Sequence, residues 1–90
     1  MFYKGGIIMK PNTYLIIIFK EGDVIRARET KKYIEDNYDI KRISLDAEGF
    51  VHAKKKEPRI TITLKSDVKK QIISDLKLNK NISWKNGYNA

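Results

Sequence analysis

Six consecutive residues, Tyr14-Leu15-Ile16-Ile17-Ile18-Phe19, form an apolar run rich in strand formers. Alternate side chains of a strand point to opposite faces. Tyr14, Ile16 and Ile18 therefore face one way, and Leu15, Ile17 and Phe19 the other. A strand apolar on both faces belongs at the centre of a sheet, with both faces covered. In a chain of 90 residues two helices can cover one face. The other needs a second cover, because contiguous apolar patches are rarely left in water. The candidates are the C-terminal segment carrying Trp84, a second subunit, or a binding partner. Twofold pairing is the commonest oligomeric solution, so a homodimer through this face is expected.

The elements around this strand follow from local pattern. Lys20-Glu21-Gly22-Asp23 is a turn, with Asp23 available as an N-cap. Residues 24–37 read as a helix with Val24, Ala27, Thr30 and Ile34 on one side. In a competing reading Glu21-Gly22-Asp23 is a hairpin turn, residues 24–27 form a second strand, and the helix is delayed to Arg28. Asn37-Tyr38-Asp39 closes the helix. A three-strand meander is expected next, over Ile40–Asp46, Phe50–Lys54 and Arg59–Lys65, with a turn at Ala47-Glu48-Gly49. The last of these alternates strictly, with Ile60, Ile62 and Leu64 against Arg59, Thr61, Thr63 and Lys65. Ser66-Asp67 opens a second helix with Val68, Ile72, Ile73 and Leu76 on its apolar side. Lys70, Ser74 and Lys77 lie on its polar side, and Asn79 and Asn81 mark its end. A tail with an Asn86-Gly87 turn signal follows, with little chain left for a returning strand.

The expected class is α+β: a small, mostly antiparallel sheet with two helices, in the order β-α-β-β-β-α(-β). That order resembles a ferredoxin-like arrangement with an extra or split strand. Many unrelated functions share such a layout. The expected organisation is a single domain over residues 9–82 with a tail over 83–90. Residues 1–8 are expected to be a non-native or flexible extension. Lys4-Gly5-Gly6 can be encoded by AAAGGAGGN, a purine-rich ribosome-binding sequence, and two isoleucine codons would separate it from a start at Met9.

The chain has no cysteine, which excludes disulfides and thiolate metal sites. Its longest apolar run is too short to span a bilayer. The N-terminus lacks a secretory pattern. A cytoplasmic protein without a membrane partner is expected.

The net charge is +8, and it is unevenly placed. Residues 9–50 carry eight basic and eight acidic side chains, whereas residues 51–90 carry ten basic and three acidic ones. Concentrating one sign of charge attracts polyanions. The basic residues fall in three groups: Lys54-Lys55-Lys56 with Arg59; Lys69, Lys70 and Lys77 on the second helix; and Lys80 and Lys85 beside Trp84 and Tyr88. Lysine far outnumbers arginine and suits phosphate contact better than base reading. Lys54, Lys55, Lys56, Arg59, Lys69, Lys70, Lys77, Lys85 and Trp84 are therefore the candidate nucleic-acid-binding residues, with Trp84 or Tyr88 able to stack on an unpaired base. A lysine run is also what a solvated face looks like, and a tryptophan often packs into a core.

No catalytic, metal or cofactor signature stands out. His52 is the lone histidine, and no carboxylates accompany it at ligand spacing. Asp46 and Glu48 read as turn residues, and no Gly-rich phosphate loop is present. The expected function is a small, basic, non-catalytic nucleic-acid-binding accessory or regulatory protein, of the kind a phage or mobile element carries. One alternative is a protein-interaction or oligomerisation module acting as an inhibitor or assembly factor. Another is a metal-free toxin-type ribonuclease drawing on His52, Lys54, Arg59, Tyr33 and Tyr38. The sequence does not separate DNA from RNA.

Overall fold

A computed structural model describes residues 11–48, 56–81 and 87–90 of the chain. Seven elements follow in order: β1 (Asn12–Ile18), α1 (Val24–Asn37), β2 (Arg42–Asp46), β3 (Arg59–Lys65), α2 (Ser66–Asp75), β4 (Asn79–Asn81) and β5 (Gly87–Asn89). The five strands form one mixed sheet in the order β2-β3-β1-β5-β4. β1–β3, β2–β3 and β4–β5 are antiparallel, and β1–β5 is parallel. The α+β class and the mostly antiparallel sheet are as expected. The strand order is not that of a ferredoxin-like sheet, because β5 stands between β1 and β4.

The apolar run does what its composition demands. Leu15 and Ile17 are opposite Ile62 and Ile60 across the β1–β3 ladder, and all four are fully buried. Ile43 and Leu45 of β2 continue these two rows. α1 and α2 cover this face, with Ala27, Ile34 and Ile72 fully buried against it. Burying each large aliphatic side chain stabilises the fold by roughly 1.5–3 kcal/mol. Phe19 lies just past β1, but its N–H still donates to the Pro58 carbonyl (2.8 Å), and its ring is 2 % exposed.

Residues 24–37 form a single helix, so the competing strand over 24–27 is excluded. Asp23 makes no side-chain cap; its carbonyl accepts from Ala27 N–H, and its carboxylate lies 3.8 Å from Arg26. Gly22 makes the preceding turn possible at φ +82, a conformation glycine adopts without steric cost. Lys31–Glu35 and Lys32–Asp36 pair one turn apart, each worth roughly 0.2–0.5 kcal/mol. At the C-terminus the Asn37 side chain donates to the Tyr33 carbonyl (2.8 Å).

Three expectations change. β2 and β3 pair directly over Arg42–Asp46 and Arg59–Lys65, so no meander strand separates them; the expected Phe50–Lys54 strand lies outside the described residues, as do residues 1–8. The second helix is preceded by Lys65, not capped by Ser66 or Asp67. It also ends earlier, and Asn79–Asn81, expected to mark its end, form β4. The segment expected to be a tail supplies β5, whose pairing with β1 is extended by Ala90 N–H donating to the Ile18 carbonyl (3.1 Å).

α2 closes in a Schellman arrangement. Leu78 N–H donates to the Ile73 carbonyl and Lys77 N–H to the Ser74 carbonyl. Lys77 sits at φ +53, and Leu78 is buried. This is the cap that glycine fills most cheaply.

The C-terminal ends of α1 and α2 are tied together by the Tyr38 hydroxyl, which donates to Asp75 Oδ2 at 2.6 Å. Partial burial raises the Tyr38 pKa above its ordinary value, and the Asp75 hydrogen bond and charge raise it further. A tyrosine in an unfolded chain ionises near pH 10. The folded state therefore holds the proton more tightly, and this contribution is intact below pH ~10 and lost as pH rises above it. Tyr38→Phe is expected to destabilise the protein by about 1 kcal/mol at pH 7. In denaturant titrations the gap from wild type should narrow at a pH of about 11.

Candidate nucleic-acid interface

The sheet register sorts the solvent-side residues into rows. On the face away from the helices, Arg42, Thr63 and Tyr14 stand side by side. Ser44, Thr61, Ile16 and Gly87 make the next row. Asp46, Arg59, Ile18 and Asn89 make the third. Ile18 is buried and Ile16 half-buried, whereas Tyr14 is 63 % exposed. The face thus changes from closed at one end to open at the end carrying Tyr14, Arg42 and Lys65.

Of the candidate residues, Lys54, Lys55, Trp84 and Lys85 lie outside the described residues, as does His52. The other basic side chains are not brought into one band. Lys56 is exposed and reaches Glu48, beyond the β2 edge, at 3.4 Å. Arg59, expected at the surface, is only 5 % exposed. It stands in a row between Asp46 and Ile18. Burial lowers its pKa, while the charges of Asp46 and Glu57 act in the opposite direction. Strict alternation assigned Arg59 to the outer face correctly, but Arg59 and its neighbour Ile18 are buried there.

The lysines of α2 and β4 do converge. Tyr88 on β5 lies beside Ile17 on the helix side of the sheet, with Lys80 of β4 as its other neighbour. The Lys80 ammonium lies 5.4 Å from the Tyr88 ring centroid, and the Lys69 ammonium, coming from α2, lies 5.9 Å from it. Each contact falls in the range of a cation–π interaction. Lys69 is half-buried; its pKa is lowered by burial first and then by the charge of Lys80. Lys70 and Lys77 are exposed on the same helix and its cap. Among the described residues no ion pair involves Lys69, Lys70, Lys77 or Lys80, whereas three ion pairs lie at or within α1. Four lysines thus lie on the α2–β4 side, where α2 also carries Asp67 and Asp75 at its two ends.

A cleft of about 490 Å³ joins this cluster to the open face; the described residues lining it are Thr13, Tyr14, Ile16, Thr61 and Lys69. β5 pairs with Ile16–Ile18 only. Its described lining takes residues from both faces of β1, Thr13 on one and Tyr14 and Ile16 on the other, together with Lys69 of α2. A second cavity of about 370 Å³ is lined by Arg26, Glu29, Thr30, Tyr33 and Leu76.

The residues considered for ribonuclease chemistry do not meet among the described residues. Tyr33 and Tyr38 pack edge to face at 6.1 Å on the helix side, and Arg59 lies on the opposite face of the sheet. No group of three His, Cys, Asp or Glu residues that could hold a metal ion occurs among the described residues. No described helix is long and apolar enough to cross a membrane. The chain matches no protein-family model, and no curated protein or solved structure is significantly similar to it.

The mutual repulsion of Lys69 and Lys80 has a direct test. In Lys80→Gln the charge that lowers the Lys69 pKa is gone, so that pKa is expected to rise, with burial still holding it below the ordinary lysine value. Side-chain NMR titration of the Lys69 ε-methylene in both proteins measures the change.

Proposed function

We propose that this protein is a non-catalytic nucleic-acid-binding module, accessory or regulatory in role, whose α2 and β4 lysines contact the phosphate backbone. The observation that carries this reading is the convergence of Lys69 and Lys80 on the Tyr88 ring without a carboxylate partner among the described residues. The charge of Lys80 disfavours the charged form of Lys69, and an anion near both ammonium groups would turn that repulsion into attraction. A phosphate diester is such an anion, and lysine meets it as a point charge.

Lys77 gives independent support. A lysine at φ +53 carries a steric cost that a glycine would avoid. Local strain of this kind concentrates where a side chain has work beyond folding. Contacts of this type fix position on the strand without reading sequence. That fits a surface built from lysine.

Fluorescence anisotropy with labelled oligonucleotides over a salt series tests the reading. Log affinity is expected to fall linearly with log salt, and the Lys69→Gln/Lys80→Gln double variant should flatten the slope by roughly 1.5. Binding that is absent at low salt, or indifferent to salt, ends the proposal. Lys77→Gly is expected to separate stability from binding. It should be more stable than wild type by about 0.5–1 kcal/mol in denaturant titrations, because the cap loses its Cβ penalty. The same variant should bind oligonucleotides more weakly.

A further inference from the structure

Phosphate contact alone does not distinguish single strands from duplexes, but the cleft at the β1 edge adds chemistry of a different kind. Tyr14, an aromatic on the sheet face away from the helices, is exposed. Half-buried Ile16 lies two residues along the same face, and among the described residues Thr13, Thr61 and Lys69 also line the cleft. An apolar surface with an aromatic plane, a few hydrogen-bonding groups and one cation at the margin is what a nucleobase with its phosphate requires. Arg42 shares the Tyr14 row, and Lys65 lies at the same end of the face, opposite Asn12. Among the described strand residues, the carboxylate on this face, Asp46, is two rows away, beside Arg59. The charge around Tyr14 is thus positive on both flanks. A duplex keeps its bases stacked inside the helix and cannot offer one to such a ring.

We propose that this cleft holds one unpaired base stacked on Tyr14, with the adjoining phosphate toward Lys69, so that the protein prefers single-stranded to duplex nucleic acid. The inference rests on the phosphate-contact reading above. DNA and RNA single strands both present the required base and phosphate, and the two are compared as separate arms of the test.

The experiment measures anisotropy of wild type, Tyr14→Ala and Tyr14→Phe against a single strand, its duplex, and an abasic strand of the same length. Because Tyr14 is exposed, both variants are expected to keep the wild-type circular dichroism spectrum. Wild type should prefer the single strand. Tyr14→Ala should lose roughly tenfold or more in affinity for it while duplex affinity is unchanged. Tyr14→Phe should retain wild-type affinity, and wild type should bind the abasic strand about as weakly as Tyr14→Ala binds the normal one. Equal affinity of wild type for the normal and abasic strands, or of Tyr14→Ala and wild type for the single strand, overturns the cleft assignment. If binding remains salt-dependent in that case, phosphate contact stands. Absence of salt-dependent binding to any strand overturns both.

Discussion

β1 binds the sheet together from its middle. Its Leu15 and Ile17 are fully buried against Ile60 and Ile62, the helices pack over that shared surface, and β5 adds to its other edge. A short β5 of Gly-Tyr-Asn has little intrinsic reason to be extended, and β4, Asn-Lys-Asn, has less. They are strands because β1 offers a rigid, unpaired row of main-chain groups beside Ile16–Ile18, and buried main-chain groups without partners are costly. The candidate binding surface inherits this dependence. Lys80 and Tyr88 are placed by β4 and β5, and Lys69 by a helix whose Ile72 is seated on the same core.

The same dependence explains what could and could not be read from the sequence. β3 was legible because Ile60, Ile62 and Leu64 alternate without exception. α1 was legible because Ala27 and Ile34 recur at helical spacing. β4 and β5 were legible only as one optional last strand, since neither has a pattern of its own and the pairing of β5 is dictated by a strand some seventy residues earlier in the chain. The αL position of Lys77 was invisible because its usual signal is a glycine. Charge segregation was legible as composition, yet the grouping it implied was only partly right. Lys69, Lys70 and Lys77 do share the α2 side, while Lys56 is drawn to Glu48 and Arg59 is buried.

The sequence makes Tyr14 one of three residues, with Ile16 and Ile18, on an apolar face that needs a cover, and the structure divides that face. Ile18 is covered, Ile16 is intermediate and Tyr14 is open. An apolar gradient of this kind differs from a uniformly apolar sheet face, which would favour burial against a second large surface. Its open end is flanked by Arg42, Lys65 and Lys69, and that company sets the chemistry of what can approach. Bringing a second copy of this face onto the first would place these cations against each other in a region being stripped of water, where like charges repel most strongly. A polyanion meets the same groups with the opposite sign, and its bases can use the Tyr14 ring that the cations surround. Among the described residues, the strand that organises the core thus carries at its Tyr14 end an exposed aromatic ring with Arg42, Lys65 and Lys69 nearby, and the proposed anionic occupant rests on that company.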